Sequence, residues 1–123
     1  MAGQKMRTKV CIALLVLFSQ TVTAASFNCG KASSFAEKAV CSDALLGRLD
    51  EALARNYAGM LSADLGSSKA ALRKEQSRWL LKRDKCTSRP CLVNVYRDRL
   101  DETCEYGVVS GIHPECTMST DIR

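Results

Sequence analysis

Seven cysteines in 123 residues constrain this chain more than any other feature. Cysteine at that density is a compartment signal. In a short chain it reads as a disulfide framework where the surroundings are oxidising, and as metal or redox chemistry where they are not. The N-terminus decides between these. Lys5, Arg7 and Lys9 precede a nine-residue apolar run, Val10 to Phe18, and small residues follow up to Ala24 and Ala25. A basic start, a short apolar stretch and a small-residue exit describe a secretory leader. Nine residues at 1.5 Å each cannot cross a hydrocarbon core of roughly 30 Å, so the run is too short for an anchor. Neither Cys11 nor Cys29 follows the small aliphatic stretch that lipid attachment requires. The expectation is a leader over 1–25, cleaved after Ala24 or Ala25, and an exported product, periplasmic or secreted.

Cleavage after Ala25 leaves 98 residues and six cysteines: Cys29, Cys41, Cys86, Cys91, Cys104 and Cys116. The even count favours three bridges. Six cysteines allow fifteen pairings; pairing sequence neighbours suggests 29–41, 86–91 and 104–116. Zinc wants closely spaced Cys pairs or nearby His, and the chain has one His. No Cys-x-x-Cys redox motif is present. Three of the 18 basic residues leave with the leader, so 15 remain against 13 acidic ones, a charge of +2. That balance gives no reason to invoke nucleic acid, and nothing after the leader calls for membrane insertion.

The remainder reads as helices. Ser34 and Glu37 form a capping box ahead of a short helix ending near Cys41. Ser42 or Asp43 caps the next, in which Leu45/Leu46, Leu49, Leu53, Tyr57 and Met60/Leu61 recur at three- and four-residue steps over about five turns. Asp64 to Ser67 break the chain. Ser67 or Ser68 opens a third helix through Leu72, Gln76, Trp79, Leu80 and Arg83. Pro90 stands where a fourth begins, carrying Leu92, Val95/Tyr96, Arg99 and Leu100. The sequence predicts an all-α, disulfide-stabilised bundle: a helical hairpin with short flanking helices over 26–104, and a non-helical tail over 105–123 tied back by Cys104–Cys116. Bridges closing loops of this size contribute about 2–3 kcal/mol each.

Two stretches carry a recognisable pattern. One is Cys29, Glu37-Lys38-Ala39-Val40-Cys41-Ser42-Asp43, Leu46, Leu49-Asp50, Leu53 and Tyr57. The other is Glu75-Gln76-Ser77-Arg78-Trp79-Leu80, Arg83-Asp84-Lys85-Cys86, Cys91-Leu92, Tyr96 and Arg99-Leu100. Together, over residues 27–104, they resemble the LprI-type lysozyme-inhibitor domain family. The resemblance implies an exported bacterial helical domain, two local disulfides matching 29–41 and 86–91, and a protein partner, lysozyme. The tail with Cys104 and Cys116 goes beyond the shared pattern.

Asp50, Tyr57, Trp79, Arg83, Asp84 and Tyr96 are read as structural. Trp79 sits seven positions after Leu72 in a core register, Tyr57 and Tyr96 suit the core edge, and Asp50 with Arg83-Asp84 would tie helices together. The competing readings are an exposed aromatic anchor at Trp79 and a recognition patch at the charged groups. Two candidate surfaces remain for a partner. One is the loop Gly111-Ile112-His113-Pro114-Glu115, in which a disulfide and a proline reduce the entropy lost on binding and His113 and Glu115 supply polar groups. The other is the helical face holding Arg78 and Lys82, whose four-residue spacing aims both donors the same way. One His, no nucleophile motif and no Gly-rich phosphate loop argue against an enzyme and imply no cofactor and no metal. An exported interaction module with some other protein partner is the alternative function.

Overall fold

A computed structural model describes residues 25–66 and 68–123. The leader segment lies outside the described residues. Among these residues there are four α-helices: α1 (Phe35–Ser42), α2 (Ala44–Ser62), α3 (Lys69–Asp84) and α4 (Arg89–Cys104). Two very short strands, β1 (Asp64–Leu65) and β2 (Val108–Ser110), pair antiparallel.

Each helix starts where a side chain can satisfy its orphan amides. The Ser34 oxygen accepts from the Glu37 amide at 3.1 Å, and the Glu37 carboxylate accepts from the Ser34 amide at 3.1 Å and the Ser33 amide at 2.7 Å. Those amides, Ser33 first, hold the Glu37 carboxyl below its ordinary range. Asp43 caps α2 by accepting from the amides of Leu45 and Leu46 at 2.9 and 3.0 Å. Its other oxygen takes the Arg89 Nε proton at 2.5 Å, so one carboxylate starts α2 and fastens the start of α4. Ser68 and Ser88 cap α3 and α4.

The core lies chiefly between α2 and α4, with α1 packed on α2 and α3 on α4. Leu46, Leu49 and Leu53 of α2 meet Leu92, Val95, Tyr96 and Leu100 of α4, and Ala36 and Val40 of α1 close one side. α3 behaves differently: of its 16 residues it buries only Leu72, Trp79 and Arg83. The three bridges join sequence neighbours, Cys29–Cys41, Cys86–Cys91 and Cys104–Cys116, with Cα separations of 5.7, 5.6 and 5.5 Å.

The tail is more ordered than a tethered non-helical segment. It contributes β2 and a 3-10 turn at Ser119–Asp121, and Ile122 joins the core. Asn56, buried on α2, pairs with the tail as a strand would: its amide nitrogen donates to the Thr117 carbonyl at 2.9 Å and its oxygen accepts from the Thr117 amide at 3.0 Å. Asp101 accepts from the Ser119 amide and hydroxyl, both at 2.8 Å, and Arg97 donates to the Ser119 and Ile122 carbonyls at 2.6 and 3.1 Å.

Candidate functional site

Trp79 is the pivot of α3. Its ring is 7 % exposed, its indole Nε1–H donates to the Val95 carbonyl of α4 at 3.1 Å, and it meets Tyr96 edge-on with centroids 5.1 Å apart. Both polar and apolar parts of the indole are therefore committed to the core. Arg83 lies over the same ring at 5.9 Å and pairs with Asp84 at 2.7 Å. Tyr96 is fully buried, and its hydroxyl donates to Asp50 at 2.8 Å. Burial, then the charge of Asp50, pushes the phenol well above its ordinary range, so it stays a donor. The Asp50 contact thus ties α2 to α4, and Arg83, paired with Asp84 within α3, also hydrogen-bonds the Tyr96 hydroxyl and so ties α3 to α4. Tyr57 is half-buried on α2.

Because Trp79 faces inward, the residues beside it face out. Arg78 and Lys82 line one shallow depression of about 290 Å³ between α3 and α4, with the edge of Trp79, Glu75, Arg99 and Glu102. The floor is rigid: Arg99, 5 % exposed, donates to Gln76 at 3.2 Å and to Glu102 at 3.1 Å. The exposed surface of α3 as a whole carries five cations, two of which, Arg78 and Lys82, line the depression beside Glu75 and Glu102. Lys69, Arg73, Lys74, Arg78 and Lys82 are exposed, and none has an ion-pair partner among the described residues. Leu81, 66 % exposed, lies on the outer face of α3 outside this depression.

The tail loop presents a different chemistry. Both ring nitrogens of His113 face carbonyl oxygens of the same segment, Pro114 at 2.8 Å and Tyr106 at 3.0 Å. The imidazole is thus engaged in holding the loop. Pro114 also rests against α2 at Gly59. Glu115 is exposed and edges a hollow of about 420 Å³ with Arg55 and Asn56. What the loop offers outward is apolar: Val109 is 67 % and Ile112 95 % exposed, with Gly111 turning the chain at φ 80°. The structure does not bring His113 and Glu115 together with Arg78 and Lys82 into one lined cavity; the two candidate surfaces are separate.

Among the described residues, no cluster of three or more His, Cys, Asp or Glu side chains could hold a metal ion, and no helix is long and apolar enough to cross a membrane. All six described cysteines are spent in bridges, which removes the thiolate as a nucleophile. The family model for lysozyme inhibitor LprI matches residues 28–106, more than half of the chain and the whole four-helix core. The chain belongs to the LprI lysozyme-inhibitor family. No curated protein and no solved structure matches it. The LprI match ends just past Cys104, so the tail that follows, bridge partner Cys116 included, lies outside it.

Sequence reasoning missed Asn56, and placed Arg99 in the register of the fourth helix without assigning it to a site. Asn56 occupies a core register between Leu53 and Met60, and a lone amide at such a position signals a buried polar contact. Arg99 follows Tyr96 by three positions, and a cation in that core register is the signal that could have marked it as part of the α3–α4 depression.

Proposed function

We propose that this chain is an exported, non-enzymatic inhibitor that binds a lysozyme and blocks its cleft through the α3 face. The observation that carries the reading is the LprI family match across the helical core. The surface chemistry supports the choice of face. A retaining or inverting glycosidase cleft works with two carboxyl groups. Arg78 and Lys82 are exposed cations on one side of a helix, and can meet carboxylates in charge-assisted bonds without any backbone having to be ordered. Inhibition by such contacts is stoichiometric and reversible, because no covalent chemistry is available. Three disulfides suit an oxidising compartment outside the cytoplasm.

The exposed apolar tip at Val109 and Ile112 favours a second reading, an interaction module for a different protein partner. Lysozyme turnover in the presence of the purified oxidised protein separates the two. Inhibition saturating near one equivalent supports the first reading. Full turnover at tenfold molar excess, at micromolar concentration and low salt, removes it and leaves the interaction module.

A further inference from the structure

Asp50 is a buried carboxylate, 6 % exposed, without an ion-pair partner among the described residues. One oxygen accepts from the Tyr96 hydroxyl. The other accepts at 2.7 Å from the backbone nitrogen of Ser26, twenty-four positions earlier. Taking a carboxylate out of water is costly unless a countercharge meets it, and Arg83, which reaches this cluster at the Tyr96 hydroxyl, forms its ion pair with Asp84 and not with Asp50. Ser26 is also the residue that a leader cut after Ala25 turns into the first of the mature chain. The leader pattern allows a cut after Ala24 or after Ala25; the second of these frees the nitrogen that the fold sets on the one buried carboxylate, among the described residues, without an ion-pair partner.

We propose that leader removal at the Ala25–Ser26 bond creates an α-ammonium group that pairs with Asp50, so that Asp50 is a receptor for the processed N-terminus and export completes the core. The chemistry is hydrolysis by a leader peptidase. The C–N bond breaks, and the oxygen of one water goes to the Ala25 carbonyl carbon. Its two protons end on the Ser26 nitrogen, leaving a carboxylate on the released leader and an ammonium on Ser26. A neutral amide with one proton becomes a cation with three, at a nitrogen already within hydrogen-bond distance. The cut gives up the half-buried Ala25 methyl, which packs at the edge of the core; in exchange a buried charge gains its partner. This proposal rests on the export reading and not on inhibition, and its tests involve no lysozyme.

The experiment starts from the full-length chain expressed in a bacterium with its leader, followed by intact mass of the exported product. The expected mass begins at Ser26; a mass beginning at Ala25 or earlier overturns the proposal. Competitive labelling with acetic anhydride then reads the α-amine. In the native protein it should react about tenfold more slowly than in the same protein unfolded in denaturant, the factor set when a carboxylate partner holds the proton about tenfold more firmly. Asp50→Asn should restore the faster rate. Should that variant fail to fold, the native-against-unfolded comparison on the natural chain decides alone, and equal rates overturn the pairing.

Discussion

Replacing Tyr96 by Phe removes one oxygen from the centre of the molecule and nothing else. The ring stays fully buried and keeps its edge-on contact with Trp79 at 5.1 Å. What goes is the 2.8 Å donor to Asp50 and the oxygen that accepts from Arg83. The carboxylate is 6 % exposed, so water cannot replace that donor without opening the α2–α4 interface. A hydrogen bond to a charged group is worth about 1.5–3 kcal/mol, and a dry site argues for about 2. With a urea slope of about 1.5 kcal/mol/M, the midpoint should fall by about 1.3 M at unchanged slope. Far-UV circular dichroism and the fluorescence of Trp79, the only tryptophan, should report coincident transitions. A fall of less than about 0.3 M would refute the reasoning. So would the same loss in an Asp50→Asn background, since the two changes should couple by about 1 kcal/mol if they share one contact.

Three further outcomes follow from the same geometry. Charge reversal at both Arg78 and Lys82 should weaken lysozyme inhibition by at least about thirtyfold, the equivalent of 2 kcal/mol, while His113→Ala, whose ring serves its own loop, should change it by about twofold or less; inhibition constants decide. The hydrogen bond from Arg89, then the helix amides of Leu46 and Leu45, hold the Asp43 carboxyl below its ordinary range, so its stabilisation is present above about pH 4, the unfolded value, and is lost as pH falls through the lower folded value; Asp43→Asn should flatten that acid limb in a stability-against-pH series. Replacing Cys104 and Cys116 by Ser should cost about 3 kcal/mol by the loop-entropy relation, yet protection of the Thr117 amide from hydrogen exchange should persist because Asn56 still accepts its hydrogen bond.

The helices were legible because their signals are local. Ser34 with Glu37, Asp43, Ser68 and Pro90 mark starts by chemistry that acts over three or four residues, and the leucine register of α2 needs no partner to be seen. Neighbour pairing of the cysteines followed from short loops, and the structure has those three bridges. The tail escaped because its order is long-range. Asn56 meets Thr117 across 61 positions, and Arg97 reaches Ile122 across 25. No periodicity in Val108–Arg123 announces such contacts, and strands of two and three residues are too short to show alternation. The candidate site was half legible. Spacing placed Arg78 and Lys82 on one face of a helix, but it carried no information about Arg99 and Glu102, which come from the opposite wall on α4.

The division of labour between α3 and α4 gives the strongest physical reason to look for the partner on α3. α4 buries Leu92, Val95, Tyr96, Arg99, Leu100 and Thr103, so most of its surface is fixed by the demands of folding. A helix of the same length that buries three residues is held by fewer means. Trp79 locks onto Val95 and Tyr96, and the Cys86–Cys91 bridge fixes the turn into α4. With these fastenings, buried Leu72 and Arg83 and the Arg99–Gln76 hydrogen bond in place, most other positions of α3 are released from core packing. A fold under no other constraint would fill such positions with alternating i,i+4 charges that pair with one another. Here they carry five exposed cations without ion-pair partners among the described residues and two exposed leucines, Leu80 and Leu81. Unpaired like charges on one helix cost stability, and Leu81 gains nothing from water. A surface composed against the stability of its own helix makes physical sense when something acidic and partly apolar covers it, and under the proposed inhibitor reading the paired carboxyl groups of a glycosidase cleft would supply the acidic part.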